Sequence, residues 1–234
     1  ASLFLAASVP AAQATLLAVG AVTATAVLGV IVTLLVSWAL SRTLLKGAAS
    51  GFAMELPPYR PPQLGRILYT SFIDRTLFVL WRAVICAAPA GGLIWLLGAI
   101  PVGEGSLFAW LAAALEPVGG LLGLDGVLVI AFLFAIPANE IVIPTVIMGY
   151  LQVGRMVEIA DPSALFLDNG WTLVTVVCVM LFSLLHYPCT TTTLTIWAET
   201  RSVKWTVLAN AIPLGLAVGV CVVVRAAAGA CGLQ

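Results

Sequence analysis

Gly126-Val-Leu-Val-Ile-Ala-Phe-Leu-Phe-Ala-Ile136 runs into Pro137-Ala138-Asn139-Glu140, and Ile141-Val-Ile-Pro144-Thr145-Val-Ile-Met-Gly-Tyr150 follows. Two apolar arms flank a polar break. The first arm has 11 residues, roughly 16 Å as a helix. That is about half of a ~30 Å hydrocarbon core. Pro137 has no N–H, so the Leu133 carbonyl loses its helical donor. Asn139 reads as the N-cap of a second helix, and Pro144 frees the carbonyl of Glu140 in the same way. A carboxylate, an amide, open carbonyls and a positive helix N-terminus would then meet inside an apolar sleeve. Broken backbone at membrane depth is tolerated where it is buried in protein or lines a wet cavity, and discontinuous helices of this kind build solute sites. The competing reading is one long spanning helix with a proline kink and a structural Glu.

A second stretch weighs against the kinked helix. Leu184-Leu185-His186-Tyr187-Pro188-Cys189-Thr190-Thr191-Thr192-Thr193 also interrupts an apolar run. Pro188 suits the first position of a new helix turn and disfavours helix for Tyr187. The threonines are poor helix formers, yet their hydroxyls satisfy freed carbonyls. The single His of the chain lies three residues before a Cys. Both broken segments thus carry soft or ionisable side chains at the break.

Composition sets the class. Of 234 residues, 62% are hydrophobic and 9% charged, with a mean hydropathy of +1.15. That is too little charge to cover a soluble domain. The expected fold is all-α: a polytopic helical membrane protein with a re-entrant or broken-helix hairpin, one transmembrane domain over 1–234. The formal net charge is zero, so there is no nucleic-acid footprint. Cys86, Cys178, Cys189, Cys221 and Cys231 are odd in number and lie mostly in apolar segments, which is no disulfide framework. Residues 1–20 have no basic n-region of a signal peptide.

In chain order, Val22 to Leu40 is long enough to span and stops at Ser41-Arg42-Thr-Leu-Leu-Lys46-Gly47. The loop that follows holds Met54-Glu55-Leu-Pro57-Pro58-Tyr59-Arg60-Pro61-Pro62. Its four prolines in six positions impose an extended path, either a stiff connector or a docking strip. Arg66 to Leu80 reads as an amphipathic approach to the membrane, and Leu80 to Ile100 as a span. Basic residues 42, 46, 60, 66 and 75 cluster in the loop at about 42–75, which places it in the cytoplasm. Ser106 to Leu115 reads as a short interfacial helix stopping at Glu116-Pro117. With 126–152 as a hairpin, the acidic loop 153–170 is outside and Arg201 and Lys204 are inside. Trp171, Trp197 and Trp205 then sit near the interfaces.

Ionisable residues within membrane segments are costly and by default functional. Glu140, His186 and Cys189 offer carboxylate, imidazole and thiolate, a donor set that suits a divalent first-row metal such as Fe²⁺. Ligation needs neutral His and deprotonated Cys, and the positive end of the second half-helix favours the thiolate. The bland alternatives are a His186 bonded to a carbonyl and a Cys189 filling a small apolar space. A Cys189–His186 nucleophile–base pair lacks a third orienting group, so no enzyme is expected in this chain.

The residues resemble a known family. Pro137-Ala-Asn-Glu140 with Ile-Val-Ile-Pro144 looks like the Gate motif of FeoB-type ferrous iron transporters. So do His186-Tyr-Pro188-Cys189 with Glu199-Thr-Arg-Ser-Val-Lys204-Trp205, and the strip Phe52 to Pro62. The matches cover roughly residues 40 to 224. The resemblance implies a Gate fold and Fe²⁺ import across a bacterial inner membrane. It implies a GTPase domain and a first Gate half, with GTP and Mg²⁺ bound on that other domain. It also implies small cytoplasmic accessory proteins as partners, with a homo-oligomer left open. The chain has no Gly-x-x-x-x-Gly-Lys-Ser/Thr, so it looks like the second Gate half without its GTPase. On this reading the metal contacts are Cys189, Glu140 and His186, the path is lined by Asn139, Pro137, Thr190 and Pro188, and Met54, Glu55, Pro57, Pro58, Tyr59 and Arg60 couple it to the GTPase. The other readings are a Gate-fold transporter of an organic solute such as a nucleoside, and a membrane scaffold that only docks partners.

Overall fold

The structure is a computed structural model that describes residues 11–44, 63–103, 105–152 and 162–232. The strip Met54–Arg60, the residue Glu104 and most of the acidic loop lie outside the described residues.

Helix α1 (Ala11–Thr43) ends beside Arg42, as its basic stop signal predicts. Helix α2 (Leu64–Thr70) continues through a π-helical turn, Ser71–Leu77, into α3 (Phe78–Ala99). The expected amphipathic approach and the span are joined in one continuous helix, Leu64–Ala99, and no residue of α2 is buried, with Leu64, Ile67 and Leu68 exposed along it. A two-residue hairpin, β1 (Pro101–Val102) with β2 (Gly105–Ser106), reverses the chain.

Helix α4 (Leu107–Leu122) then runs through Glu116 and Pro117, where the sequence reading ends it. Its Ncap is Ser106, whose hydroxyl accepts from the Ala109 N–H. The actual stop is Gly123, in the left-handed conformation at φ 71°. Helix α5 (Gly126–Phe134) leaves at 98° to α4. Helix α6 (Val142–Leu151) follows, preceded by a 3₁₀ turn at Asn139–Ile141. Then come α7 (Ser163–Asp168), α8 (Leu173–Leu185), α9 (Thr190–Thr200) and α10 (Val203–Ala230).

Four helical stretches are long and apolar enough to cross a membrane: Ala18–Thr43, Leu64–Ala99, Leu173–Thr200 and Val203–Ala230. The α4–α5 pair makes up to five. The chain is an all-α, multi-pass membrane protein. Helices α5 and α6, at 9 and 10 residues, are each about 14 Å long, half of a crossing. The broken segment is thus two half-helices, while the sharp bend sits upstream, at Gly123–Asp125.

The core gathers on α5, which crosses α4 and packs with α6, α8 and α10. A Cβ on Gly126 would stand 1.9 Å from the Ala112 carbonyl oxygen, and one on Gly119 would stand 2.7 Å from the Asp125 carbonyl carbon. The two backbones touch there, with small residues letting membrane helices approach. Around the crossing, Phe108, Leu128, Ile130, Val146 and Met148 are almost fully buried. Trp171 is packed into this interior, two residues ahead of the apolar stretch Leu173–Thr200. It is buried, stacks on Phe166 at 4.3 Å, and donates its indole N–H to the Tyr150 hydroxyl at 2.6 Å. Tyr150 in turn donates to Asp125, whose other oxygen caps α5 by accepting from the Leu128 N–H at 2.7 Å. Glu116 accepts from the Gly126 N–H at 2.8 Å. The carboxylates thus pin the start of α5 from both sides.

Gly126→Ala is expected to wedge the crossing apart at a cost of about 1–3 kcal/mol. Gly120→Ala, with nothing within 4 Å of its Cβ, is expected to be close to neutral. Melting temperatures of the two variants in detergent check this, and equal values would contradict a backbone contact at Gly126.

Candidate functional site

The first break is built by Pro137. Helix α5 ends at Phe134, and the Ala135 N–H makes the last helical bonds, to the Ala131 and Phe132 carbonyls. Ala138 is extended, at φ −154° and ψ 115°. Asn139, expected as an N-cap, makes no capping bond, and α6 begins later, at Val142. Pro144 explains the shift: it sits in the first turn of α6, where a missing N–H costs little. Asn139 and Glu140 are exposed and Pro137 is half-buried.

The second break follows its prolyl signal. Helix α8 stops at Leu185, His186 is extended at ψ −178°, and α9 starts at Thr190 with Cys189 as its Ncap. Pro188 stands two residues ahead of the helix, not at its first position. Cys189 Sγ lies 3.0 Å from the Thr191 hydroxyl and 3.3 Å from the Thr192 hydroxyl. Those hydroxyls and the first N–H groups of α9 form a polar cup for the sulfur.

The two breaks are bonded to each other. Thr190 donates twice to the Ile136 carbonyl, from its N–H at 2.9 Å and from its hydroxyl at 3.1 Å. The Tyr187 hydroxyl donates to the Phe132 carbonyl. Carbonyls at the end of α5 therefore find their donors at the start of α9. Sequence reasoning foresaw that threonines would serve freed carbonyls, but not which ones. Tyr187 was missed as a functional residue. Its signal was its place before Pro188, a donor side chain at a break in an apolar run.

His186 is 8% exposed. Its ring stacks on Phe182 at 5.8 Å and meets Phe132 and Tyr187 edge-on. Nδ1 faces the Ser183 carbonyl at 3.0 Å. A carbonyl only accepts, so Nδ1 carries the proton and Nε2 presents its lone pair. Nε2 is buried and has no partner among the described residues. His186 and Pro188 also line a cavity of about 490 Å³ between α1, the second break and α10, together with Thr33, Ser37 and Pro213. Neutral imidazole with a free Nε2 is the form that ligates metal.

Among the described residues, no three His, Cys, Asp or Glu side chains gather into a metal-holding group. The arrangement offers separate donors near two breaks, which is the chemistry of transient contact and not of a closed metal centre. Two further residues join the site. The guanidinium of Arg82 reaches the Thr191 carbonyl at 3.0 Å, and Thr193 donates to the Asn210 side chain at 3.0 Å. A charge in an apolar run was the available signal for Arg82.

Removing the Tyr187 hydroxyl by Tyr187→Phe is expected to cost about 1 kcal/mol, the usual worth of one buried hydrogen bond. The check is a lower melting temperature together with faster proteolysis at the break.

Two family models match the chain. One is described as the ferrous iron transport protein B C terminus, over residues 22–74, and the other as Gate, nucleoside recognition, over residues 80–202. A protein of Synechocystis sp. named Fe(2+) transporter FeoB is 30% identical over 172 residues, covering 71% of this chain and 27% of that protein. A protein of the same name from Staphylococcus aureus (strain COL) is 31% identical over 203 residues, covering 80% of this chain and 28% of its own length. One from Legionella pneumophila (strain Paris) is 29% identical over 145 residues, covering 57% and 19%. The chain thus spans little more than a quarter of the first two relatives. No solved structure matches it at a significant level.

Proposed function

Because this chain belongs to the Gate family and carries the FeoB-type C-terminal segment ahead of its Gate region, we propose that it forms part of a ferrous iron path through a bacterial inner membrane. The observation that carries the reading is the pair of hydrogen bonds that Thr190 donates to the Ile136 carbonyl, which makes one locus of two breaks. Fe²⁺ passes there as substrate. Cys189, in its cup of threonine hydroxyls, is the main contact. His186 offers Nε2 from the ring cluster, and Glu140 offers a carboxylate from the exposed turn. Asn139, Pro137, Pro188 and Thr190 line the way with amide, hydroxyl and carbonyl oxygens. Separate donors suit a moving ion, since binding must be weak enough to leave. Divalent affinities rank Fe²⁺ low, so selectivity rests on geometry and supply.

The wider assembly is part of the same proposal. A GTPase domain that binds GTP and Mg²⁺, a first Gate half and small cytoplasmic accessory proteins act with this chain, and the relatives' greater length leaves room for both domains. This chain itself hydrolyses nothing. The strip Met54, Glu55, Pro57, Pro58, Tyr59 and Arg60 relays the nucleotide state. Pro57→Ala with Pro58→Ala is expected to uncouple ferrous uptake from GTP hydrolysis in the intact protein, and unchanged coupling would remove the strip from the relay.

The test of the path is ferrous uptake by cells that express the intact protein with Cys189→Ser. At a normal membrane level, uptake is expected to fall roughly tenfold or more, in the range that damage to a metal's surroundings costs. A nucleoside path or a scaffold predicts no change, and unchanged uptake moves the path to Glu140 and the carbonyl oxygens.

A further inference from the structure

Arg82 stands within the helix Leu64–Ala99, among residues apolar enough to cross a membrane. It is half-buried. A guanidinium stays charged at any working pH and needs donors' partners wherever it is placed. Here Nη2 donates to the Thr191 carbonyl at 3.0 Å and to the Thr195 hydroxyl at 3.3 Å. Neither partner carries a charge, so among the described residues the group is bonded without being neutralised. The Thr195 hydroxyl also donates to the Thr191 carbonyl, at 2.9 Å. Arg82 therefore clamps the beginning of α9 onto α3.

What the clamp adjoins gives it meaning. The Thr191 hydroxyl is 3.0 Å from Cys189 Sγ. A cavity of about 250 Å³ is lined by Val79, Arg82, Thr191, Thr192 and Thr195, and among the described residues Arg82 is the one charged group of its lining. Helix α9 leads from Cys189 to Arg201, and α3 follows a basic segment. Both of those ends belong to the side that the distribution of basic residues assigns to the cytoplasm. The cavity lies beside the first turn of α9, next to the threonines that hold the Cys189 thiol, so an ion leaving Cys189 along α9 passes a fixed positive charge.

We propose that Arg82 is an electrostatic bar on the cytoplasmic side of the His186–Cys189 break, holding the start of α9 and opposing cation passage between Cys189 and the cytoplasm. It is a positioning residue and makes no contact with the ion. The proposal rests on reading this break as part of the iron path. A positive wall of this kind keeps the path closed to cations while the clamp is made, and lets them through when the guanidinium moves off Thr191.

The test is thiol labelling of the intact protein in inside-out membrane vesicles. Two methanethiosulfonates of similar size are compared, one bearing a trimethylammonium and one a sulfonate. Only label abolished by Cys189→Ser is counted. The parent protein is expected to favour the anionic reagent, and rising ionic strength to narrow that preference. Arg82→Gln keeps hydrogen-bonding capacity and loses the charge. It is expected to raise the cation-to-anion rate ratio about tenfold, the low end of what a like-charged cleft imposes. Arg82→Lys is expected to keep the parental ratio. A purely structural residue would shift both reagents alike, so an unchanged ratio in Arg82→Gln overturns the proposal. A parent without preference at low salt overturns it too, even where the variants fail to reach the membrane. Ferrous uptake by the same variants separates the two readings. A shifted ratio with uptake unaltered by Cys189→Ser supports the bar and removes the iron path from this break.

Discussion

The Ile136 carbonyl is the acceptor on which the architecture turns. A proline one residue later ends α5, and an open carbonyl in an apolar setting costs several kcal/mol unless it is bonded. Thr190 supplies two donors to it from 54 residues further along the chain. The Tyr187 hydroxyl adds a second donor to the Phe132 carbonyl, which also accepts from the Ala135 N–H. Without these bonds two half-helices would each leave unpaired ends in hydrocarbon. With them, the ends satisfy each other, and the Cys189 thiol and the His186 ring are held beside the junction.

The upstream half of the molecule keeps that junction in place. The α4–α5 crossing at Gly119 and Gly126 brings backbone against backbone. Glu116 and Asp125 then cap α5, and Tyr150 and Trp171 lock Asp125 from the far side. The direction in which α5 enters the core, and hence where Ile136 arrives, is set by polar groups at its start and not by its apolar flanks.

Much of this was legible in the residues. Pro137 and Pro188 marked both breaks, because a missing N–H and a clash with the preceding turn act locally. Composition marked the membrane class, and Ser41-Arg42 marked the end of α1. What could not be read was pairing: nothing local says that Thr190 seeks Ile136. Local signals also lost to tertiary ones. Glu116-Pro117 looked like a helix stop, but Glu116 has a use inside the fold as a cap for Gly126. Asn139 looked like an N-cap, but Pro144 let α6 start later. Arg82 was visible as a charge near a span, while its target on α9 was not.

Half-helices have a further consequence for how such a sequence can drift. The polar middle of this molecule is made largely of main-chain ends: carbonyls of α5, amides of α9 and the turn before α6. Main-chain groups are the same whatever side chains they carry. A waist of that kind survives wholesale replacement of its lining as long as a few prolines and one hydroxyl donor keep the chain interrupted in the same two places. Relatives that share only about three residues in ten with this chain can therefore retain the same interruption while the side chains around it change.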